Sequence, residues 1–301
     1  MKISRILWQA YNTSPAEWVK LMRLRLAPFL FKKVNTLTTL LSKTYFAKRD
    51  PLVQYLIEQI REGKELEQTL EGFKGKNYDE RIVEYPYFIN WLLQQKKVNN
   101  ILDVGCTLNN KLVQNTLKER CNNVWLCNVA IESKIYVTNS VFYHISSLEK
   151  VSPNNKKFPI ITCLSTIEHI GFDNSQYGDK TPAKYTKPTD KPLLVSLRKL
   201  AKLLKLGGKL LVSFPYGYRE VVIHPKTCKI ASQVFDFSSV KKGLSILKSE
   251  GVTSKVEVFK ATNTGWVKTD PKTFNKRYAD GCPAASAVAL ITGQKNKKNT
   301  K

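Results

Sequence analysis

The chain has 301 residues, of which 42% are hydrophobic and 10% aromatic, so it can form a sizeable core and wholesale disorder is excluded. Lys and Arg number 49 against 24 Asp and Glu, which gives a formal net charge of +25. Such an excess favours an anionic partner, either nucleic acid or a membrane surface. The excess equally fits a drift of the composition toward Lys and Asn codons, because Lys and Asn are abundant whereas Arg is not.

The six cysteines have scattered spacings, form no Cys-x-x-Cys pair, and lie at Cys106, Cys121, Cys127, Cys163, Cys228 and Cys282. The three histidines are far apart, so we predict no metal site and interpret most of the cysteines as small buried hydrophobes in a reducing compartment. No apolar run approaches the ~18 residues that a transmembrane helix needs. The N-terminus lacks the apolar stretch of a signal peptide, so we expect a cytoplasmic protein.

Residues 1–77 predict an N-terminal helical extension, with ten basic and two acidic residues in the first fifty. A basic helix with Trp and Phe on its other side can lie peripherally on an anionic membrane. The alternative is a helical cap that packs on the rest of the fold. Both interpretations hold if the substrate is a membrane-linked precursor.

Residues 78–293 alternate short apolar segments with helices, and residues 294–301 predict a basic, disordered tail. The seven predicted strands are 100–105, 123–129, 140–145, 159–165, 209–214, 255–259 and 284–291. This alternation predicts an α/β fold with a mostly parallel sheet covered on both faces. The insertion between the last two strands carries no clear helix, which predicts an antiparallel ending.

Ligands of open α/β sheets bind outside the carboxyl ends of the strands, near the point where strand order reverses. Asp103 lies near the end of the first strand, and Gly105 follows where the chain must turn sharply. A nucleotide-like cofactor can approach the backbone there. The dinucleotide fingerprint G-x-G-x-x-G is absent, which argues against a dehydrogenase.

The segment Asp-Val-Gly-Cys at 103–106 resembles the first motif of class I S-adenosylmethionine-dependent methyltransferases. Four further segments follow in the same order: a strand end at 128–132, STIEHIG at 165–171, KLGGKLL at 205–211, and FPYG at 214–217. The segments at 78–88, 102–110 and 165–174 are similar to a bacterial subgroup, of which some members resemble surface-glycan methyltransferases. The resemblance implies a Rossmann-like, seven-stranded sheet with an antiparallel last strand, and S-adenosyl-L-methionine as cofactor.

The resemblance implies a cofactor-binding set at the strand ends, namely Asp103, Gly105, Thr107, Asn128, Glu132, Ser147 and Ser165. The sequence departs from the family where Thr107 and Asn109 replace glycines. It departs again where Asn128 takes the place of the acid that grips the ribose. Glu132 is the candidate replacement, because a carboxylate can accept hydrogen bonds from two hydroxyls.

Methyl transfer requires alignment of acceptor and donor, and a hydroxyl acceptor also requires a base. His169 is the candidate base because imidazole titrates near neutral pH; the alternative is a packing role. Glu168 is a candidate orienting group, or equally an acid favoured at a helix start. The candidate substrate residues are Asp173, Tyr216, Arg219 and Trp266. A Trp266 indole can stack on a sugar, although core packing explains it equally well.

The sequence thus predicts an S-adenosylmethionine-dependent methyltransferase that acts on a hydroxyl of a sugar, glycan or other small metabolite. One rival is an RNA methyltransferase, which the positive charge favours. Against it, the sequence has no recognisable RNA-binding module and no Asn/Asp-Pro-Pro-aromatic motif. Nucleic acid is therefore the less favoured partner. The other rival is a non-catalytic interaction protein with the same fold, which the replaced glycines favour.

Overall fold

The structure is a computed structural model that describes residues 45, 47–151, 156–179, 181–224, 229–280 and 284–297. The predicted basic helices of the first 44 residues lie outside this range. Its helices are α1 (47–61), α2 (Leu66–Thr69), α3 (Arg81–Leu93), α4 (Gln114–Arg120), α5 (Lys191–Leu203) and α6 (Phe237–Ser249). Single 3-10 turns are formed by Gly75–Asn77, Leu148–Lys150, Ile167–His169 and Ser175–Tyr177.

An eight-stranded sheet has the order β3-β2-β1-β4-β5-β10-β8-β9. Its strands are β1 (Val98–Val104), β2 (Cys121–Asn128), β3 (Ser140–Ile145), β4 (Phe158–Leu164), β5 (Leu204–Pro215), β8 (Val252–Thr262), β9 (Gly265–Thr269) and β10 (Ala287–Lys295). Strands β1 to β5 pair in parallel, whereas β10 runs antiparallel to β5 and β8. The predicted Rossmann-like α/β class, mostly parallel with an antiparallel last strand, is confirmed.

The predicted count of seven strands was wrong by one, because the insertion before the last strand contains β9. This strand pairs antiparallel with β8 through a tight turn, with Thr262 opposite Gly265. Its sequence, GWVKT, has only two apolar side chains, so it lacks the apolar run by which the other strands were recognised. A separate hairpin, also missed, pairs β6 (Val221–Ile223) with β7 (Ile230–Gln233).

The apolar side chains of the sheet form two core layers. One face packs against α1, α3 and α4, and the other against α5 and α6. Residues 53–70 contribute to the same core layer as β1 and β2, although the predicted domain boundary at residue 77 stays a prediction. Strand β10 continues through Lys295, so the first two residues of the predicted disordered tail, 294 and 295, belong to this strand.

Four of the cysteines lie within the described ranges, and Cys106, Cys121, Cys127 and Cys163 are all buried free thiols. This agrees with their interpretation as small core residues; Cys228 and Cys282 fall outside the described ranges. Within the same ranges, no helix combines the length and apolar character needed to span a bilayer.

Strand β1 is flanked by β2 on one side and by β4 on the other, so strand order reverses beside it. In doubly wound sheets this reversal opens a crevice at the carboxyl edge. The fold therefore places the ends of β1, β2 and β4 around one common position.

Candidate functional site

The turn after β1 has two consecutive residues in left-handed conformation, Gly105 at φ +95° and Cys106 at φ +56°. The Gly105 N–H donates to the carbonyl of Cys127 over 2.8 Å, which ties the turn to the end of β2. A Cβ at position 105 would overlap the Thr166 side chain. Glycine is thus required here both by the backbone angle and by the close approach of the β4 loop.

Asp103 is wholly buried and closes the loop that follows β1. Its Oδ2 accepts the Leu108 N–H over 2.8 Å, and its Oδ1 accepts the Thr162 hydroxyl over 2.9 Å. Burial raises the pKa of Asp103 to about 7. Both oxygens of this predicted site residue are used within the chain, so its role is to hold residues 105–108 in place.

Two side chains replace the glycines that the resemblance leads one to expect, and both form bonds within the protein. The Thr107 hydroxyl donates to the Leu164 carbonyl over 2.8 Å. The Asn109 amide donates to the carbonyl of Lys134 and accepts the N–H of Tyr136, both over 2.7 Å. Asn109 thereby ties the loop after β1 to residues 130–136, which we call the β2 strap.

Tyr143 on β3 holds the other end of the β2 strap. Its hydroxyl donates to the Ala130 carbonyl over 2.8 Å and accepts the Glu132 N–H over 3.0 Å. This places the Glu132 carboxylate where it accepts the Asn128 amide over 3.0 Å. The predicted pair is therefore brought together at the end of β2. The Asn128 carbonyl also accepts the N–H of Ser146, which brings the turn containing Ser147 to the same edge.

The Asn128–Glu132 pair has the chemistry of a site for vicinal hydroxyls. A carboxylate accepts hydrogen bonds from two neighbouring hydroxyls, and an amide can donate to one of them. Beside it, Gly105 leaves its own backbone free of a side chain. These groups fit the sugar part of a nucleoside, so the donor set agrees with the cofactor that the sequence predicts.

A second polar cluster lies under the ends of β4 and β5, and its centre was missed in the sequence. Glu84 on α3 is wholly buried, and its Oε1 accepts the hydroxyls of Ser165 (2.6 Å) and Ser213 (2.5 Å). Its Oε2 pairs with Arg81 over 2.5 Å. An acid inside the apolar run RIVEYPYF was the available signal, and it marks a buried partner because an unpaired carboxylate is costly to bury.

The turn after β4 presents the two predicted catalytic residues. Glu168 is 2% exposed, and its Oε2 has no hydrogen-bond partner within the described part of the chain. Burial raises the pKa of this carboxyl well above its usual range, so the neutral acid is favoured. The Glu168 Oε1 lies 4.0 Å from the Nε2 of His169.

His169 is a neutral imidazole of defined tautomer. Its Nδ1 lies 2.8 Å from the carbonyl of Ala231, and because a carbonyl only accepts, Nδ1 carries the proton and Nε2 keeps its lone pair. Burial lowers the pKa of His169 to about 4. The ring also meets Tyr177 edge to face, with 5.6 Å between centroids.

The predicted substrate residues each have different partners in the structure. Asp173 lines a cavity of about 580 Å³ and forms an ion pair with Lys229 over 2.8 Å. Arg219 pairs with Asp190 over 3.0 Å. Tyr216 is 1% exposed and donates its hydroxyl to a backbone carbonyl, that of Pro271.

Trp266 is 0% exposed, and its indole N–H donates to the carbonyl of Gly75 over 3.1 Å. With no face of the ring accessible, the indole has no surface on which a sugar could stack. Its position agrees with the core-packing interpretation, because it joins β9 to the segment before α3.

Comparison with known proteins finds no matching family model and no match among curated proteins. Solved structures do match. A methyltransferase from Methanosarcina mazei, described as S-adenosylmethionine-dependent, is 12% identical at a TM-score of 0.44, over 68% of this chain and 95% of its own. The N-methyltransferase NodS from Bradyrhizobium japonicum, in complex with S-adenosylhomocysteine, is 12% identical at a TM-score of 0.40, over 70% and 87%.

A third match is 1,6-didemethyltoxoflavin-N1-methyltransferase from Burkholderia thailandensis, with bound 1,6-didemethyltoxoflavin and S-adenosylhomocysteine. It is 11% identical at a TM-score of 0.42, over 70% of this chain and 76% of its own. The fold class of the present chain follows from its own strand order and pairing rather than from these likenesses.

Proposed function

We propose that the chain is an S-adenosylmethionine-dependent methyltransferase that methylates a hydroxyl of a sugar, glycan or other small metabolite. The observation that supports this most is the carboxyl edge beside β1, where the left-handed Gly105 turn and the Asn128–Glu132 pair lie together. The ordered sequence motifs at 103–106, 165–171 and 205–211 support it independently.

Each residue of this edge has a role that follows from its contacts. Asn128 and Glu132 would hold the ribose hydroxyls, and Gly105 would let the cofactor lie against the backbone. Asp103 keeps the loop closed, and Tyr143 keeps Glu132 in position through the β2 strap. When bound, the cofactor supplies a methyl group already activated on a sulfonium, so the protein mainly has to align the acceptor.

His169 supplies the base for a hydroxyl acceptor in this proposal. Its neutral ring leaves Nε2 available to take a proton while Nδ1 stays bonded to Ala231. A pKa of about 4 makes the ring a weak base, but also keeps it unprotonated at neutral pH. Glu168, neutral and adjacent, adds no negative charge that would raise the basicity of the ring.

Titration calorimetry with S-adenosylhomocysteine tests cofactor binding. We expect micromolar-range affinity for the full chain, and about tenfold weaker binding for Glu132→Gln, since a hydrogen bond to a charged group is lost. Glu119→Gln, at an exposed ion pair with Arg61, is the matched control and should bind normally. Gly105→Arg should abolish binding if circular dichroism shows that it folds.

The same titration decides against the proposal if the folded wild-type chain binds neither S-adenosylmethionine nor S-adenosylhomocysteine. That result would select the second candidate, a non-catalytic interaction protein. One observation favours this candidate: Thr107 and Asn109 occupy the glycine positions and tie the loop down from within the protein.

A further inference from the structure

A cavity of about 570 Å³ lies where β8 ends, between the turn Gly75–Asn77 and the segment 273–276. Its volume falls within the roughly 300–1,000 Å³ that small-molecule sites occupy. None of the predicted site residues lines it, and neither the sequence motifs nor the proposed cofactor edge accounts for it.

The charge of this cavity is positive. Lys76, Lys260 and Lys276 line it, and within the described residues none of the three forms an ion pair. On the same β8–β9 hairpin, Lys255 and Lys268 are both paired with Glu257, so the cavity lysines differ from their neighbours. Asp280 is the one acid among the described residues that line the cavity, which leaves an excess of positive charge for an anion.

The rest of the lining suits a ligand with many hydroxyls. Asn263, Thr269 and Asn275 contribute hydroxyl and amide groups that can both donate and accept. Phe274 contributes an apolar wall and packs on Tyr216 at 6.3 Å between ring centroids. A phosphorylated sugar matches this combination, because it carries an anion, several hydroxyls and an apolar ring face.

The cavity lies at the carboxyl edge of the sheet, three strands from β4 and four from β1, so it is distinct from the proposed cofactor edge. Lys260 on β8 is paired in register with Ala287, the first residue of β10. The following residue of β10, Val288, lies opposite Pro215 at the end of β5. A hydrogen bond also connects the cavity region to the start of α3, because the N–H of Ala285 donates to the Glu80 carboxylate over 3.3 Å. Glu80 directly precedes Arg81 in the chain. Ser286, which follows Ala285, lines the cavity.

We propose that this cavity binds a sugar carrying a phosphate group. This binding does not depend on the proposed methyl transfer, because the cavity lies three strands away from β4, after which His169 follows. The lysines hold the phosphate, and the Thr and Asn side chains hold the sugar hydroxyls.

Calorimetry with glucose 1-phosphate as the probe, without any methyl donor, tests the site. We expect saturable binding to the wild-type chain, and about tenfold weaker binding for Lys260→Ala and for Lys276→Ala. Lys241→Ala, on α6 and outside the cavity lining, should bind as the wild type does. Inorganic phosphate should bind more weakly than glucose 1-phosphate, and uncharged glucose should not bind measurably.

Three results would overturn the proposal: no binding to the wild type, equal weakening by Lys241→Ala, or equal affinity for inorganic phosphate. A parallel titration with S-adenosylhomocysteine separates the two proposals. If the cavity variants lose glucose 1-phosphate but the wild type binds no S-adenosylhomocysteine, the cavity assignment stands and the methyltransferase proposal fails. If only S-adenosylhomocysteine binds, the reverse holds.

Discussion

At the residue scale, the positions that shape the candidate site are those whose contacts leave no room for substitution. Gly105 is the clearest example, because its backbone is left-handed and the Thr166 side chain fills the space that a Cβ would need. Gly63 has a similar φ of +91°, yet nothing lies within 4 Å of a Cβ built there. The two glycines therefore separate backbone strain from steric overlap.

We predict that Gly105→Ala destabilises the chain by about 1–3 kcal/mol more than Gly63→Ala does. Both variants should lose about 1 kcal/mol from the left-handed backbone, but only the first adds overlap with Thr166. Urea denaturation with unchanged m-values would measure the difference in the free energy of unfolding. If the two variants lose the same free energy of unfolding, Thr166 does not restrict the side chain at position 105.

His169 predicts a pH dependence whose sign follows from its lowered pKa. The ring has a pKa near 6.5 when unfolded and about 4 when folded, so the unfolded chain binds more protons between these values. The contribution of His169 to stability is therefore complete above pH 6.5 and is lost as the pH falls toward 4. The contribution of Asp103, with a raised pKa, has the opposite sign over the same range.

Unfolding measured between pH 7 and pH 4.5 should therefore show a smaller loss of stability in His169→Gln than in the wild type. The Asp103 contribution is common to both proteins and cancels in the comparison. If His169 is also the base, kcat/KM of the wild type should persist well below pH 6.5 and fall only toward pH 4. An acid limb centred at 6.5 would contradict the lowered pKa of the ring.

At the element scale, the carboxyl ends of the strands are organised by α3. Glu84 reaches from this helix to hydroxyls at the ends of β4 and β5, and Arg81 one turn earlier balances its charge. Glu80, at the start of the same helix, meets the segment before β10. One face of one helix thus connects the turn after β4 with the region of the cavity.

We predict that Glu84→Ala destabilises the chain by about 3–5 kcal/mol, because it leaves Arg81 and two buried hydroxyls without their shared partner. Glu84→Gln should lower the free energy of unfolding by less, since its amide oxygen can still accept hydrogen bonds from the two serine hydroxyls. Glu58→Ala, at an exposed acid of α1, is the matched control and should stay within about 0.5 kcal/mol of the wild type. If thermal unfolding shows the same stability for Glu84→Ala as for Glu58→Ala, the Glu84 cluster does not stabilise the ends of β4 and β5.

At the scale of the whole molecule, the net charge of +25 does not arise at the proposed cofactor edge, where the acids Asp103 and Glu132 accompany Lys134. Some of the cationic side chains on α5 and α6 are paired, as Arg198 is with Glu250 and Lys242 with Asp190. The first fifty residues carry ten basic and two acidic side chains, and most of these residues lie outside the described ranges. We therefore retain peripheral contact with an anionic membrane as a proposal.

Full-length protein should sediment with phosphatidylserine vesicles at low salt and should be released near 1 M salt, where the Debye length shrinks to about 3 Å. Phosphatidylcholine vesicles are the control and should not bind it. Failure to bind anionic vesicles at low salt, or binding that persists near 1 M salt, would contradict an electrostatic role. Salt-sensitive binding to RNA but not to vesicles would restore the nucleic-acid interpretation.

The sequence by itself determined the fold class and predicted where the candidate site lies, because both depend on local patterns. Apolar runs of strand length separated by helices are sufficient to indicate a parallel sheet, and a glycine after an acid marks the turn where ligands bind. The pairing of Asn128 with Glu132 was also within reach, since the two residues are only four apart along the chain.

Only the tertiary structure decided the rest, because it depends on contacts between distant parts of the chain. Glu84 meets Ser165 and Ser213 across 81 and 129 residues, and no local pattern encodes that meeting. Burial in turn decides the protonation of His169 and the packing role of Trp266, whose exposed fraction is zero. The lysine cavity likewise exists only because the hairpin β8–β9, the segment 273–276 and the turn before α3 fold against one another.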